Sequence, residues 1–462
     1  MDLQRNLGDL NVRYVKLRPV NQNSENQYSF KGGLPLIKFD IGDSIEPSML
    51  NGSQLRLTGR ITYKKGDGSA LATGTGALED NFINRFNGAA APVDNITLSS
   101  KRLNSVMERI TNYNRLVPSL VSGLHGKEDI AGQLFHQGGH MFNNYIQRNV
   151  IIARDALASN TAANGRFFSL PLYCGMLNSG ADINLSRESG IGGLVLEILL
   201  KSDANVIFGE DSSDDDATYV ISDLQLTVPL MDVGGASAAV VARQPPMLNF
   251  NTWSSIFTTM NSSASVLSLV PGLSRVASVV YNVMNANEMG DQQFDSGRLG
   301  NMGEVHNLRY SKNGVLFPLQ YRIDTMDREA SGASEGGATS QTIYQRSQQV
   351  RNTQEALLIS PFFRARHNLY TFSDFDAGVL NVGQTAANDG NGLNTDESFG
   401  MLYDMFGSGT NYSQANWSVE IQTKGTGSDS IDGTASTTQA VFVFFLNKNT
   451  VQFSPNGLNL IR

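Results

Sequence analysis

The chain is poor in cysteine and in charged residues, and each shortage excludes a class of protein. Cys174 is the single cysteine among 462 residues, so no internal disulfide can form, as is usual for proteins made inside a cell. Charged residues make up 17% of the chain, against about a quarter in ordinary domains. Polar uncharged residues fill that share, which is typical of strand-rich folds with many turns and of surfaces that contact other chains.

The chain also lacks an excess of positive charge. Its net charge of −8 excludes a protein that coats DNA or RNA over a large area, because such surfaces are normally basic. Only the first twenty residues carry more basic than acidic side chains. This arm is either solvated and partly disordered, or it ties neighbouring subunits together or touches a genome or an internal membrane.

A long apolar segment is missing as well. The N-terminus has no apolar core of the length that a secretory signal needs, so we expect assembly inside a cell. The most apolar stretch, Val266–Met284, contains Pro271 and Arg275 and is therefore not expected to span a membrane. Its apolar residues recur at helical spacing, which predicts a connecting helix packed beside the domains.

No arrangement of catalytic residues is recognisable. His136 and His140 have the spacing of two zinc ligands on a helix, but Gly138 and Gly139 weaken such a helix and no glutamate follows the first histidine. Cys174 has no basic neighbour in the sequence and is expected to be a small buried apolar residue. The sequence therefore predicts no catalytic residue, no cofactor-binding residue and no metal ligand, and hence a protein that is not an enzyme.

Two further segments are weak matches to known ligand sites. The segment from Gly190 to Gly192 lacks the third glycine of a dinucleotide loop, and a strand follows it where a helix is required. The acidic run Glu210–Asp216 lacks the glycine and the distal glutamate of a calcium loop, so we expect a solvated loop. Whether this run binds divalent cations stays open.

The strongest pattern is an alternation of apolar and polar residues, which predicts half-buried strands. It is clear in Leu55–Thr58 and in Trp417–Thr423, while the continuous apolar run Leu194–Leu200 predicts a strand buried on both faces. In Tyr219–Val228 the alternation slips by one residue near Asp223, which predicts a bulge.

Helices are expected to be few. Apolar residues three, four and seven apart predict a helix from Leu103 to Val117, capped by Ser99 or Ser100 and ended near Pro118. A second helical or irregular stretch is predicted from Ile130 to Ala156. Strand-rich halves on either side of a glycine- and proline-marked junction then favour an all-β fold with two antiparallel β-sandwiches in tandem.

Segments between Leu34 and Pro229 carry a family resemblance. They are Leu55–Gly59, Asn81–Phe86, Val93–Leu98, Phe168–Leu177, Leu194–Ile198 and Tyr219–Leu226. In this order they resemble the double jelly-roll major capsid proteins of double-stranded DNA viruses, with polinton-like viruses and virophages as the nearest group. The C-terminal half resembles the family by its pattern alone.

The resemblance implies that the two sandwiches are eight-stranded jelly rolls, with a few helices in loops and linker. The expected parts are an N-terminal arm (1–28), a first jelly roll (29–232), a linker with a helix (233–299) and a second jelly roll (300–462).

The resemblance also implies a function. The chain would be a major capsid protein that self-assembles as pseudo-hexameric homotrimers, which tile an icosahedral virion shell around a double-stranded DNA genome. Its partners would be copies of itself, neighbouring capsomers and penton or minor capsid proteins. The arm would contact genome or membrane, and no small-molecule substrate or cofactor is implied.

Other functions stay open at this point. Exposed aromatic clusters on loops would favour a double-sandwich virion protein that binds a receptor or a glycan. The chain has only two tryptophans, Trp253 and Trp417. A minor vertex protein usually needs only one jelly roll, and the capsid protein of a single-stranded RNA virus often has a strongly basic arm.

Overall fold

The structure is a computed structural model. It describes residues 11–23, 25–42, 48–65, 81–84, 87–124, 154–156, 166–185, 191–209, 217–232, 247–260, 264–286, 289–290, 292, 305–317, 323–324, 409–423, 438–454 and 457–461. These residues form five antiparallel sheets, which confirms the expected all-β class.

The first half contains fourteen strands and one α-helix among its described residues. In chain order the strands are β1 (Asn11–Leu17), β2 (Gln27–Tyr28), β3 (Leu36–Ile41), β4 (Ser48–Asn51), β5 (Arg56–Lys64), β6 (Asn81–Asn84), β7 (Val93–Ser100), β8 (Ser105–Ile110), β9 (Arg154–Ala156), β10 (Arg166–Pro171), β11 (Asp182–Asn184), β12 (Leu194–Leu200), β13 (Ile207–Gly209) and β14 (Thr218–Asp232). Helix α1 (Tyr113–Leu124) lies between β8 and β9, and short 3-10 helices occupy Gly52–Gln54, Gly88–Ala90 and Asp203–Asn205.

The second half contains nine further strands among its described residues. They are β15 (Met247–Met260), β16 (Ala264–Leu269), β17 (Val276–Asn285), β18 (Val305–Lys312), β19 (Val315–Leu316), β20 (Ile323–Asp324), β21 (Trp417–Thr423), β22 (Gln439–Ser454) and β23 (Gly457–Ile461).

The first sandwich has the strand order of a jelly roll. Its strands pair as a long hairpin folded on itself: β1 with β14, β3 with β12, β5 with β10, and β7 with β8. Two further pairings, β14 with β5 and β12 with β7, join these into two layers, β1-β14-β5-β10 and β3-β12-β7-β8. This nested order is a double Greek key, which is the jelly-roll connection.

The second sandwich repeats the same nested order. β15 pairs with β22, β16 with β21, and β18 with β19. The pairings of β22 with β17 and of β21 with β18 then build one layer around β22 and a second around β21. The described strands of the second half therefore follow the topology of the first.

Sequence alternation sets the faces of these strands. In β5 every second side chain from Leu57 to Tyr63 is buried, and the intervening side chains point outward. The predicted bulge is confirmed, because the register of β14 on β5 shifts between Ser222 and Gln225 and Asp223 has a positive φ of 51°. The apolar run β12 is a central strand between β3 and β7, as its composition predicts.

The core of the second sandwich is aromatic. The ring of Trp417 lies 5.7 Å from that of Phe445 in an edge-on arrangement and 6.0 Å from that of Tyr281. The hydroxyls of Tyr281 and Tyr310 are hydrogen-bonded to each other at 2.8 Å, which satisfies both polar groups inside the core.

The predicted helix from Leu103 to Val117 is wrong in its first half. Residues 93–110 form the hairpin β7–β8, whose turn includes Asn104 with a positive φ of 48°. The pairing of β7 with β8 shifts between Leu98 and Ser99. This shift breaks the strict alternation of buried residues in β8, so its apolar residues recur at a spacing that resembles that of a helix. The helix begins only at Tyr113 and contains Pro118 instead of ending before it.

The predicted connecting helix at Val266–Met284 is also wrong. Its residues belong to strands β16 and β17, and the turn between them contains Pro271 and Gly272. A proline followed by a glycine breaks a helix but suits a turn. Pairing with β21 and β22 satisfies the backbone groups that the helix was expected to satisfy internally.

These pairings bear on the division of the chain. Residues 11–17, in the predicted arm, form β1 and pair along their full length with β14, so they lie in the first sandwich and not in a disordered arm. Strands β15–β17 share sheets with β21 and β22. We propose that the halves divide between residues 232 and 247, and that the described residues of the predicted linker (233–299) belong mainly to the second sandwich through β15–β17. Apart from β9, the predicted stretch from Ile130 to Ala156 lies outside the described residues.

Phe444 offers a test of the strand order. It is fully buried in β22 between Ser255 of β15 and Val280 of β17. A Phe444→Asp substitution would bury a charge without a partner, which costs several kcal/mol. We expect the variant to yield no soluble folded chain by circular dichroism and size-exclusion chromatography.

The matched control is Val315→Asp, because Val315 is 70% exposed on β19. It should fold as the parent chain does. A Phe444→Asp chain that folds and elutes like the parent would show that β22 is misplaced.

Candidate functional site

The described residues contain no cluster of three or more side chains that could hold a metal ion. His136 and His140 lie outside the described part of the chain, as do Gly190 and the acidic run Glu210–Asp216. Cys174 is fully buried, and burial raises the pKa of its thiol well above the ordinary value. Its interpretation as a small buried apolar residue is confirmed. Among the described helices, none is long and apolar enough to cross a membrane.

The junction of the two sandwiches is built around a buried carboxyl group. Glu108 of β8 is 3% exposed and accepts hydrogen bonds from the backbone N–H groups of Gly175, at 2.7 Å, and Met176, at 2.9 Å. A third bond comes from the hydroxyl of Thr252 in β15, at 2.6 Å, which links the first sandwich to the second. Burial raises the pKa of Glu108, and the three hydrogen bonds oppose part of that rise.

The backbones of the two sandwiches are in close contact at Gly175. A β-carbon at this position would lie 1.4 Å from the carbonyl oxygen of Asn251 in β15. No side chain fits such a gap, because real β-carbon contacts are never below about 3 Å. Gly175 therefore allows the two main chains to lie in direct contact.

Polar and aromatic contacts continue this junction along β15. The side chains of Thr111 and Asn112, just before α1, contact the hydroxyl of Ser255. The guanidinium of Arg115, fully buried in α1, lies 4.6 Å from the ring centre of Phe442. Alternation along β22 places Phe442 and Phe444 on the face toward the first sandwich, whereas Phe445 packs in the core of the second.

A cavity of about 750 Å³ opens beside this junction. Both sandwiches line it, the first through Leu120 and the loop from Tyr173 to Ser179, the second through β15, β22 and Arg275. Its described lining contains cationic, amide, hydroxyl and aromatic side chains and no carboxylate.

The outer walls carry exposed apolar side chains on edge strands. Tyr14 and Phe167 are 62% and 61% exposed on β1 and β10, which form the two edges of one layer of the first sandwich. Val266 on β16 and Val270 just beyond it are 63% and 64% exposed at the edge of an outer layer of the second. Such edges are normally covered or blocked, because unpaired backbone and apolar side chains invite pairing with another chain.

The other layer of the first sandwich is polar outside. Lys38 pairs with Glu197 at 3.1 Å, and Lys101 pairs with Asp40 at 3.2 Å. These half-exposed ion pairs each contribute at most about 1 kcal/mol, so they keep this wall soluble more than they hold the fold together.

Sequence patterns did not single out the residues of the junction. Glu108 lies in a segment for which the sequence predicts a helix. Thr252 lies in β15, whose sequence alternates as in an ordinary strand. Gly175 lies in Phe168–Leu177, one of the segments that carry the family resemblance, and a glycine there indicates only a turn. The available signal was Glu108, a charged residue within an otherwise apolar pattern. A buried carboxylate needs several hydrogen-bond donors, so such a residue indicates a polar contact with another part of the chain.

Comparison with solved structures identifies proteins that share this fold. The chain is similar to PBCV-1 VP54, as fitted into a cryo-EM reconstruction of the virophage Sputnik, with a TM-score of 0.54 and 10% identity over 98% of this chain and 97% of that one. It is similar to the quasi-atomic model of the PBCV-1 virus capsid, with a TM-score of 0.53 and 10% identity over 98% and 97% of the two chains.

The Faustovirus major capsid protein gives a TM-score of 0.50 and 9% identity over 96% of this chain and 91% of that one. No family model and no curated protein matches the chain. Identities this low show the fold alone. The chain has the double jelly-roll fold along nearly its whole length, as the resemblance implied.

The close approach at Gly175 leads to a stability prediction. A Gly175→Ala substitution forces the loop away from Asn251 and disturbs the hydrogen bonds to Glu108. We expect a loss of about 1–3 kcal/mol in the free energy of unfolding, as for overpacked cores. Urea unfolding measures it, with Ser179→Ala in the same loop as the control. Equal stability of Gly175→Ala and the parent would contradict the contact.

The raised pKa of Glu108 leads to a pH prediction. Because the folded pKa lies above the unfolded one, the contribution of Glu108 to stability is complete below the ordinary value of 4.5 and is lost as pH rises through the folded pKa. The stability advantage of the parent over Glu108→Gln should therefore shrink as the pH rises from 5 to 8.

Thr252→Val provides the companion measurement in the same urea titrations. This substitution removes a hydrogen bond that lowers the pKa of Glu108. The stability contribution of Glu108 should therefore be lost at a higher pH than in the parent. An advantage over Glu108→Gln that stays constant between pH 5 and pH 8 would refute the raised pKa.

Proposed function

We propose that this chain is the major capsid protein of a double-stranded DNA virus. Homotrimers would form pseudo-hexameric capsomers that tile the icosahedral shell of the virion. The observation that carries the proposal is the likeness to PBCV-1 VP54 and to the PBCV-1 capsid over 98% of this chain, across both jelly rolls. A likeness confined to one sandwich would fit many unrelated binding proteins, because the jelly roll hosts many functions.

The symmetry of the fold supports this assembly. Two sandwiches of one topology in each chain give six similar blocks in a trimer, so a three-fold arrangement of chains presents a nearly six-fold outline. A wall of one sandwich would contact the other sandwich of the next copy, and three such contacts close a ring.

The exposed edges favour the same conclusion. Val266 and Val270 on the second sandwich and Tyr14 and Phe167 on the first leave apolar surface in water in a single chain. Obligate interfaces have apolar centres, so neighbouring copies are suitable partners for these edges. Contacts with penton or minor capsid proteins stay a prediction. So does contact of the N-terminal arm with a genome or a membrane.

The rival function, a receptor- or glycan-binding virion protein, has weaker support as the main role. Trp253 and Trp417 are both buried within strands and do not form an exposed loop cluster. Tyr14, Phe167 and Phe257 are exposed, but each lies on a different strand.

The mass of the purified chain tests the proposal. Expressed alone, the 50.1 kDa chain should elute as a particle of three times that mass by light scattering, or as shells under the electron microscope. A monomer that persists at all concentrations would refute self-assembly.

A wall variant sharpens this experiment. Val266→Lys places a charge on the exposed edge of the second sandwich without touching a core, so it should shift the mass from trimer toward monomer with an unchanged circular dichroism spectrum. Val315→Lys, at the opposite edge of the same layer, is the control with a similarly exposed valine.

A further inference from the structure

The layer β1-β14-β5-β10 of the first sandwich presents cations on its outer face. In β5 the side chains that point outward include Arg56, Arg60 and Lys64, and buried side chains alternate with them. Lys16 of β1 lies on the same face, because it is opposite Thr227 of β14, which is opposite Arg56. We call this face the basic wall, and its cations are Lys16, Arg56, Arg60 and Lys64.

Carboxylates are scarce on the basic wall. Among the side chains that the structure describes on these four strands, Asp223 at the bulge of β14 is the one carboxylate, and it lies 3.6 Å from Nε of Arg60. Lys16, Arg56 and Lys64 are exposed, and no described carboxylate forms an ion pair with them. The basic wall therefore carries positive charge that the described part of its own chain does not balance.

The opposite layer of the first sandwich differs in this respect. Its lysines Lys38 and Lys101 pair with Glu197 and Asp40 of the same layer. Such pairs within one wall leave little charge for another molecule, whereas the cations of the basic wall are available to carboxylates of a partner.

Aromatic side chains lie among the cations of the basic wall. Phe167 of β10 is directly opposite Arg60 in the register with β5, and Tyr14 is two residues from Lys16 on the same side of β1. Both rings are more than half exposed. Aromatic residues and arginine are enriched where proteins meet, so a face that combines them is suited to another protein surface.

The charge of the whole chain indicates which protein that is. The chain carries a net charge of −8, and residues 247–462 contain more acidic than basic side chains. The second half of another copy therefore offers the charge that complements the basic wall. A nucleic acid would be attracted by this wall but repelled by the rest of an acidic chain.

We infer that the basic wall of one copy docks on the second sandwich of the next copy, and that its charge prevents two first sandwiches from joining through this wall. Apolar contacts through Tyr14 and Phe167 cannot make this choice, because they are favourable with any apolar surface. Like charges that face each other across an interface suppress the wrong pairing. The inference rests on the proposed capsid function and identifies the surface that selects contact between unlike sandwiches.

Light scattering of the full chain over a range of concentrations tests the inference, with the double variant Arg56→Gln/Lys64→Gln. Both residues are exposed, so the circular dichroism spectrum should not change. At about 0.05 M NaCl, the concentration at which half of the chains are trimeric should rise by about tenfold or more. The difference from the parent should shrink at about 0.5 M NaCl, because salt screens exposed charges.

Two controls separate the wall from net charge. Lys38→Gln/Lys101→Gln removes the same charge from the opposite layer and should change the half-trimer concentration by less than about twofold. Arg56→Lys/Lys64→Arg keeps the charge of the basic wall and should assemble as the parent does.

The possible failures are distinguishable. Trimers that are equally stable in the parent and in Arg56→Gln/Lys64→Gln would overturn the inference and leave the capsid function intact. A parent chain that stays monomeric would refute the capsid function, and the inference with it. A labelled single-stranded DNA that binds the parent but not the double variant, while both form trimers equally well, would identify a nucleic-acid surface instead.

Discussion

Strand β22 is the constraint on which the rest of the molecule depends. Its residues from Ala440 to Phe445 are buried, although alternate side chains of a strand point to opposite faces. One face closes the aromatic core of the second sandwich through Phe445 and Trp417, and the other meets α1 of the first sandwich at Phe442. A strand that serves two interfaces cannot shift by one residue without exposing both. The register of β22 therefore fixes each sandwich and the joint between them.

The joint itself depends on close contact more than on area. Gly175 lets two backbones touch, and Glu108 then collects three donors that would otherwise be buried without acceptors. A buried carboxyl group is expensive, yet removing it would leave the N–H groups of Gly175 and Met176 unsatisfied, which also costs stability. The geometry of the joint is thus specified by polar groups, while the apolar contacts around Phe442 supply its attraction.

The sequence predicted the parts of this fold that depend on alternation, and it failed where alternation is interrupted. β5, β12 and β21 follow simple patterns and were predicted as strands. The sequence pattern predicts helices at two segments that are strands. At β8 the slipped pairing breaks the alternation, and at β16–β17 apolar residues recur at helical spacing across a proline–glycine turn. The structure of β16 and β17 is decided by their partners β21 and β22, more than 130 residues away, which no local pattern contains. For the same reason Glu108 and Thr252 could not be joined from sequence, since only the docking of two complete sandwiches brings them together.

A tandem of two like sandwiches leaves an asymmetry that favours further association. Inside one chain, the joint covers Phe442 and Phe444 but leaves the edges marked by β1, β10 and β16 uncovered, with Tyr14, Phe167 and Val266 in water. Within the described ranges no further strand covers these edges, and another copy of the chain is the partner that we propose for them. In the proposed assembly, contact between the first sandwich of one copy and the second of the next would be heterologous, and heterologous contacts can close into rings. In that assembly the jelly roll would serve as a rigid block, and the differences between the two sandwiches of a chain would decide which walls meet.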